Sequence, residues 1–224
     1  MRTTVLLAGL VLLAGCGRAA PVGETQGEPG VVRLFNGVDL AGWRVLDQVF
    51  YAEHGKVHVA DGRLVLEAGN DLTGIAWTGP MPETNYEVSL EAMRVSGSDF
   101  FCGMTFPVGT ERCTWIVGGW GGTVVGLSNV DGYNASENAT TRAMALESGR
   151  WYRLRLRVTD ERIEAFIDGA RVIDQARADH TLGVWLQMDD FRPFGLATWR
   201  TCGALRHVTL RRYGVADTIP RSAK

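Results

Sequence analysis

Short stretches in which apolar and polar residues alternate recur along most of the chain, and they constrain the fold more than any other feature. The clearest is residues 151–158, where apolar side chains occupy every second position and three arginines lie between them. A period of two places the apolar side chains on one face of a β-strand and the polar ones on the other. The same reasoning predicts strands at residues 56–60, 63–67, 86–95, 100–106, 113–117, 151–158, 162–167, 171–174, 183–188 and 205–212.

The spacing of these strands and the turn residues between them predict an antiparallel β-sandwich. Asp61-Gly62 and Asp168-Gly169 each stand between two short strands, and Asp-Gly is a strong signal for a tight hairpin turn. The chain has 28 glycines and 7 prolines among 224 residues, which is typical of an all-β domain with many turns. Only residues 139–147 are compatible with a helix, and their threonines disfavour it.

The charge balance argues against a nucleic-acid partner. Lys and Arg number 23 against 25 Asp and Glu, so the formal net charge is −2. Binding to DNA or RNA depends on clustered Lys and Arg, which this balance does not favour. The four histidines have neither HxH nor HExxH spacing, so the sequence predicts no metal site, and no motif predicts a cofactor.

The N-terminus has the pattern of a bacterial lipoprotein signal. Arg2 precedes an apolar run at residues 5–13, and Leu13-Ala14-Gly15 lead into Cys16. We expect residues 1–15 to be removed and Cys16 to be lipidated, which places the protein on a membrane of the bacterial cell envelope, either periplasmic or at the cell surface. The alternative is an ordinary secretory signal cleaved nearby. Residues 16–30 then form a flexible tether, residues 31–213 the folded domain, and residues 214–224 a frayed tail.

Two segments resemble a known family. Residues 34–43 read LFNGVDLAGW, and residues 151–158 and 163–174 form a strand and a hairpin with the sequence FIDG followed by VID. The opening motif closely resembles the LFNGxDLxGW start of the bacterial 3-keto-disaccharide hydrolase family, and the hairpin is similar to that of concanavalin-A-like jelly rolls. The resemblance implies a jelly-roll fold, a carbohydrate partner and cleavage of the glycosidic bond of a 3-keto sugar. Residues 99–107 depart from the family's usual pattern, which indicates a divergent member.

The motif also has a purely structural interpretation. Asn36, Gly37 and Asp39 are turn-forming residues, and Trp43 is suited to cap one end of a core. Turn chemistry therefore explains these residues without any ligand.

A glycine-rich run is the strongest candidate for a ligand platform. Four glycines, Gly121 among them, surround Trp120 and leave an aromatic surface with open backbone beside it. A sugar ring stacks on such a surface through its apolar C–H face. The alternative is a glycine-rich bulge with Trp120 buried in the core.

The candidate polar side of this site contains Glu137, supported by Asn138 and Arg142, and either Asp131 or Asp99. In the chemistry that the resemblance implies, a 3-keto group acidifies the neighbouring C2–H. One base then drives elimination of the glycosidic oxygen, and water adds back afterwards. We assign Glu137 as this base and Trp120 as the stacking surface. The alternative function is a non-catalytic module that binds glycan or protein at the cell envelope.

Three cysteines remain once Cys16 is set aside. Cys102 and Cys113 flank the predicted turn at residues 107–112, and an exported protein is permitted disulfides. We therefore predict a Cys102–Cys113 disulfide across the hairpin, with Cys102–Cys202 as the alternative.

Overall fold

The computed structural model describes residues 30–214. The predicted signal peptide and lipidated Cys16, nearly all of the tether, and the tail from residue 215 lie outside the described residues. The predicted domain at residues 31–213 lies within them.

The described chain is built from fifteen strands and two short 3₁₀ helices. The helices are η1 (Val49–Tyr51) and η2 (Leu186–Phe191). The strands are β1 (Val31–Arg33), β2 (Trp43–Val45), β3 (Val57–Ala60), β4 (Arg63–Leu66), β5 (Leu72–Trp77), β6 (Tyr86–Ser96), β7 (Cys102–Val108), β8 (Glu111–Gly119), β9 (Val124–Ser128), β10 (Arg142–Ala143), β11 (Tyr152–Val158), β12 (Arg162–Ile167), β13 (Ala170–Ala176), β14 (Phe194–Trp199) and β15 (Cys202–Arg212).

These strands form two antiparallel sheets packed face to face. The first sheet has the order β13-β12-β11-β6-β15-β4-β3, with β1 also paired to β15, and the second has the order β10-β9-β8-β7-β14-β5-β2. One core lies between the sheets: Leu154 and Leu156 of β11 belong to the same buried cluster as Trp115 and Val117 of β8. The alternation in residues 151–158 therefore does bury one face, and the predicted all-β sandwich with jelly-roll character is confirmed.

The opening motif is a turn fastened to the edge of this core. Asn36 Nδ2 donates a hydrogen bond to Asp39 Oδ1 at 2.7 Å, and Asn36 Oδ1 accepts one from the Asp39 backbone N–H at 3.0 Å. The Trp43 indole N–H donates to the Leu34 carbonyl at 2.9 Å, and the Trp43 ring is buried in the core cluster. Asn36 and Asp39 therefore form a turn and Trp43 packs into the core, which is the structural interpretation that the sequence allows.

The outer face of the second sheet is covered in part by η2. Phe191 lies against Gly74 of β5 and Gly195 of β14, where a Cβ on Gly74 would lie 2.5 Å from the Phe191 ring. Tyr51 of η1 meets the same ring edge-on at 5.5 Å, and its hydroxyl donates to the Gln187 carbonyl at 2.6 Å. The two 3₁₀ helices are thus held together over a part of the sheet where Gly74 and Gly195 leave room for the Phe191 ring.

One strand prediction is wrong. Residues 183–188 do not form a strand, because the segment crosses over the outer face of the second sheet and ends in η2. Its buried Met188 packs onto that face, which satisfies the apolar period without strand pairing. Residues 139–147, where threonines disfavour a helix, contain only the two-residue strand β10.

The predicted Cys102–Cys113 disulfide is not formed. Cys102 of β7 pairs with Val117 of β8, whereas Cys113 pairs with Phe106, so the two cysteines are four positions out of register. Four positions along a strand correspond to about 13 Å, well beyond the distance a disulfide spans. Cys202 is also free, which removes the alternative pairing. Burial raises the pKa of both the Cys102 and Cys113 thiols to about 12, so these thiols stay protonated at neutral pH.

Candidate functional site

An aromatic cavity opens on the outer face of the second sheet, beside the part covered by η2. Its volume is about 250 Å³, and it is lined by Asp99, Phe100, Trp120, Trp185 and Trp199. The Trp120 and Trp185 rings meet at 5.6 Å with an interplanar angle of 67°, and the Phe100 and Trp199 rings are 6.4 Å apart. We call this space the aromatic pocket. Its walls offer flat apolar surfaces around a single carboxylate.

Trp120 stands out from the turn between β8 and β9. Its backbone is left-handed, with φ +48°, and its side chain is 38% exposed. A left-handed conformation is uncommon for a bulky residue, and such strain is frequent where a side chain must be held toward a ligand. Trp120 therefore lies at the surface, and its alternative placement in the core is wrong.

Arg94 of β6 fastens the glycine-rich turn from beneath. Its buried guanidinium donates to the carbonyl of Gly122 at 2.9 Å and to that of Leu146 at 2.9 Å. It also reaches the Asp99 carbonyl at 3.3 Å and the Gly118 carbonyl at 3.4 Å. Gly118 has φ +81°, and a Cβ there would lie 2.5 Å from Arg94 Nη2. The absence of a side chain at Gly118 thus leaves room for Arg94. The arginine in turn holds the backbone at Asp99 and at Gly122, on either side of the aromatic pocket.

The Asp99 carboxylate is held by backbone groups. Oδ1 accepts a hydrogen bond from the Phe100 N–H at 2.7 Å, and Oδ2 accepts a longer one from the Gly121 N–H at 3.4 Å. The Asp99 N–H itself donates to Thr201 Oγ1 at 3.0 Å. Among the ion pairs of the described residues, none includes Asp99. A carboxylate in this position has lone pairs free to accept a proton or a hydroxyl hydrogen bond from a ligand.

A second cavity adjoins the aromatic pocket at Trp199. Its volume is about 270 Å³. Glu53, Asn70, Asp71 and Gln187 supply its polar walls, and Asn70 Nδ2 donates to Glu53 Oε2 at 2.7 Å. We call this space the polar pocket. Trp199 lines both, so the two pockets are neighbours, and we call them together the cleft.

The other predicted carboxylates lie elsewhere and line neither pocket. Asp131 Oδ2 is 2.7 Å from His180 Nδ1, and its Oδ1 accepts from the Thr181 N–H at 2.9 Å. The hydrogen bond with His180, followed by that from Thr181, holds the pKa of Asp131 below its usual range. Asp131 is therefore a poor proton donor and is engaged in a turn. Glu137 is exposed and accepts a hydrogen bond from the Asn134 side chain.

Asn138 and Arg142 hold the backbone of the neighbouring loop and strand. Asn138 Nδ2 donates to the Leu127 carbonyl at 2.7 Å, while its Oδ1 accepts from the Thr140 N–H at 2.9 Å. Arg142 Nη1 donates to the Thr141 carbonyl at 2.7 Å. The structure thus brings Asp99, Trp120 and Gly121 together and places Asp131, Glu137, Asn138 and Arg142 in a separate loop region.

Sequence reasoning did not identify Trp185, Trp199 or the residues of the polar pocket. Trp199 ends β14, a strand buried along nearly its whole length, so no alternation marks it. Trp185 lies in the segment predicted as a strand, so its position over the sheet face was not expected. The 7 tryptophans of the chain were the available signal for an aromatic site.

The part of the chain that the structure describes contains no group of three or more metal-ligating side chains. Within residues 30–214, no helix is long and apolar enough to cross a membrane.

The fold is shared with solved jelly-roll structures of low sequence identity. A protein of Parabacteroides distasonis that carries the provisional name of a glycosyl hydrolase is 13% identical with a TM-score of 0.53, covering 83% of this chain and 94% of that one. Domain 4 of an extracellular GH43 arabinanase from Geobacillus stearothermophilus, solved with arabinotriose, is 14% identical with a TM-score of 0.52, covering 82% and 91%. A Bacillus subtilis protein of unknown function with a galectin-like fold is 12% identical with a TM-score of 0.52, covering 77% and 90%.

At identities of 12–14%, these likenesses show the fold alone, an antiparallel jelly-roll sandwich. The sequence goes further: the model of the 3-keto-alpha-glucoside-1,2-lyase-like domain matches residues 30–211, so the chain belongs to that family. The resemblance of the opening motif is thereby confirmed. A comparison with curated proteins found no match.

Proposed function

We propose that the protein cleaves the glycosidic bond of 3-keto-glycosides in the aromatic pocket, with Asp99 as the base. The observation that carries this proposal is the position of the Asp99 carboxylate at the wall of a pocket made of three tryptophans and a phenylalanine. Sugar rings stack on such walls, and family membership supplies the class of reaction. Asp99 replaces Glu137, the first choice from the sequence, because Glu137 does not line the pocket.

The reaction needs one base rather than a matched pair of carboxylates. The ketone at C3 acidifies the C2–H, and Asp99 removes that proton. The C1–O bond then breaks, its electron pair leaves with the glycosidic oxygen, and that oxygen takes up a proton. Water adds to the resulting C1–C2 double bond, so that the overall change is hydrolysis. A single carboxylate held by backbone N–H groups suffices for the first step.

Replacing Asp99 tests the assignment. Asp99→Asn keeps the side-chain shape and an oxygen to accept from the Phe100 N–H, but it removes the base. We expect turnover of 3-keto-trehalose or 3-keto-lactose to fall by about 10²-fold or more. Glu137→Gln and Asp131→Asn are matched controls that remove a carboxylate outside the pocket, and both are expected to retain turnover. Products are followed by mass spectrometry.

The same assay separates catalysis from binding alone. Turnover confined to the keto sugars supports the enzyme. Glycan binding that Trp120→Ala abolishes, without turnover by the parent protein, would instead identify a binding module. If Asp99→Asn keeps full activity and Glu137→Gln loses it, the base is Glu137 and the assignment of Asp99 is wrong.

We also propose that the protein is anchored to a membrane of the bacterial cell envelope through a lipid on Cys16. The support is the sequence alone: a positive start, an apolar run and small residues directly before a cysteine. Such an anchor holds the cleft near imported or surface glycans.

A further inference from the structure

The cleft is acidic on both sides of Trp199. Asp99 lines the aromatic pocket, and Glu53 and Asp71 line the polar pocket. Among the described residues that line either pocket there is no lysine, arginine or histidine. A ligand that spans the cleft therefore meets several carboxylates and no lining cation.

The charges of these carboxylates are only partly offset. Glu53 accepts its hydrogen bond from the uncharged amide of Asn70. Asp71 pairs with Arg200, whose Nε lies 2.7 Å from Asp71 Oδ1, so that one acid is compensated from the rim. Asp99 is held by backbone N–H groups. Glu53 thus has no cationic partner among the described ion pairs, whereas the charge of Asp99 interacts with the buried Arg94 guanidinium.

The walls of the polar pocket suit a ring that carries hydroxyl groups. Carboxylate and amide oxygens accept hydrogen bonds from hydroxyls. Val49 and Phe50 of η1 complete the pocket with apolar surface against which the C–H face of a sugar can pack. Val49 is left-handed, with φ +50°, an outlier for a β-branched residue, and its side chain is held 76% exposed at this rim.

We propose that the polar pocket is a specificity site that selects an uncharged, hydroxyl-rich leaving group and rejects an anionic one. This inference rests on the proposed function, because it assigns the reacting ring to the aromatic pocket and the group released from it to the polar pocket. A uronate, sulfate or phosphate on the second ring would approach the Glu53 carboxylate, whose charge no described ion pair offsets, and be repelled. A neutral sugar instead donates its hydroxyls to the same oxygens.

Three substrates that share a 3-keto-α-glucosyl group test the proposal. They differ in the group that cleavage releases, which is methanol in the first, glucose in the second and glucuronate in the third. We expect kcat/KM for the glucose compound to exceed that for the glucuronate compound by about 10-fold or more at low salt, which is about 1.4 kcal/mol. The ratio should shrink in 1 M NaCl, because partly exposed charges are screened. The methyl compound should be slower than the glucose compound, because it leaves the polar pocket empty.

Variants of the pocket identify the residues responsible. Glu53→Gln removes one negative charge, and Asp71→Asn leaves Arg200 without its carboxylate. Both variants should therefore lower the ratio of kcat/KM for the glucose compound to kcat/KM for the glucuronate compound. Glu161→Gln, in the exposed turn between β11 and β12, makes the same change of net charge far from the cleft in the fold and should leave the ratio unchanged.

The outcomes distinguish this inference from the proposed function. If the methyl compound is cleaved but glucose and glucuronate compounds react equally, the specificity site is wrong while the enzyme assignment stands. If nothing is cleaved, calorimetric binding of unoxidised glucosyl-glucose and glucosyl-glucuronate decides. Stronger binding of the neutral disaccharide, lost in Glu53→Gln, supports the polar pocket, and equal binding overturns it.

Discussion

At the scale of single residues, Asp99 and Asp131 show how partners decide what a carboxylate can do. Both accept backbone hydrogen bonds, but Asp131 also has His180 as a neighbour, which lowers its pKa. Asp99 faces aromatic rings, and the buried Arg94 guanidinium beside it donates to its backbone carbonyl. The same residue type is thus a turn anchor in one place and a candidate base in the other.

Arg94 is the residue that holds the site in shape. Burial lowers the pKa of its guanidinium, yet an arginine stays protonated at neutral pH, and four carbonyls surround the group. Its planar guanidinium donates both to the turn that carries Trp120 and to the Asp99 carbonyl in the connection between β6 and β7. Neither a lysine nor an apolar side chain has that geometry.

We expect Arg94→Met to lower the free energy of unfolding by about 3 kcal/mol, because several buried carbonyls lose their donor. Ligand affinity in the aromatic pocket should fall as well, since the Trp120 turn is released. Arg153→Met, an exposed arginine on β11, is the control and should stay within about 0.5 kcal/mol of the parent. Urea unfolding and glycan titration measure both effects. An unchanged ligand affinity in a folded Arg94→Met protein would contradict the positioning role.

At the scale of elements, η2 is what shapes the cleft. It lies on the second sheet because Gly74 and Gly195 leave room for Phe191. By filling one part of the sheet face, it confines the open space to the aromatic and polar pockets. Gln187 of η2 lines the polar pocket directly.

We expect Gly195→Ala to disturb η2 and to destabilise the protein by about 1–3 kcal/mol, because the new Cβ would lie 2.6 Å from Phe191 Cβ and Cγ. Gly183→Ala, in the segment that leads into η2, is a matched control: its Cβ meets nothing within 4 Å. Thermal unfolding of both variants measures the difference. Equal stability of the two would show that Phe191 is not packed as described.

At the scale of the whole molecule, the two outer faces of the sandwich differ in character. The outer face of the first sheet carries ion pairs across neighbouring strands, such as Arg155–Glu87 at 2.9 Å and Arg206–Glu91 at 2.7 Å. Partly exposed pairs of this kind contribute little to stability and are typical of a solvated surface. The outer face of the second sheet is apolar and partly covered, and the cleft is built there.

The proposed anchor belongs to this scale as well. The full chain expressed in a bacterial host should fractionate with membranes and take up labelled fatty acid, whereas Cys16→Ala should do neither. Cys202→Ala is the control, because it removes another cysteine within the domain. Equal fractionation of the Cys16→Ala and parent proteins would refute the anchor.

How much of the fold was predictable depends on where each strand lies. β11 and β12 were visible because one face is buried and the other is solvated. β5 and β14 were not, since both of their faces are covered and nearly every residue is buried. Periodicity reports a difference between two faces, and a strand in the middle of a covered sheet has none.

The sequence by itself determined the all-β class and the turn at residues 34–43. Alternation and Asx turn chemistry act over a few residues, so they are legible without the rest of the chain. It also singled out Trp120 as a stacking surface, and it named Asp99 as an alternative to Asp131 beside Glu137, its choice for the base. Only the tertiary structure decided that Trp120 and Asp99 share a pocket with Trp185 and Trp199, while Glu137 stands apart. The pocket residues come from three connections and one strand end that are distant in the chain, and the order of the strands, rather than any local pattern, brings them together.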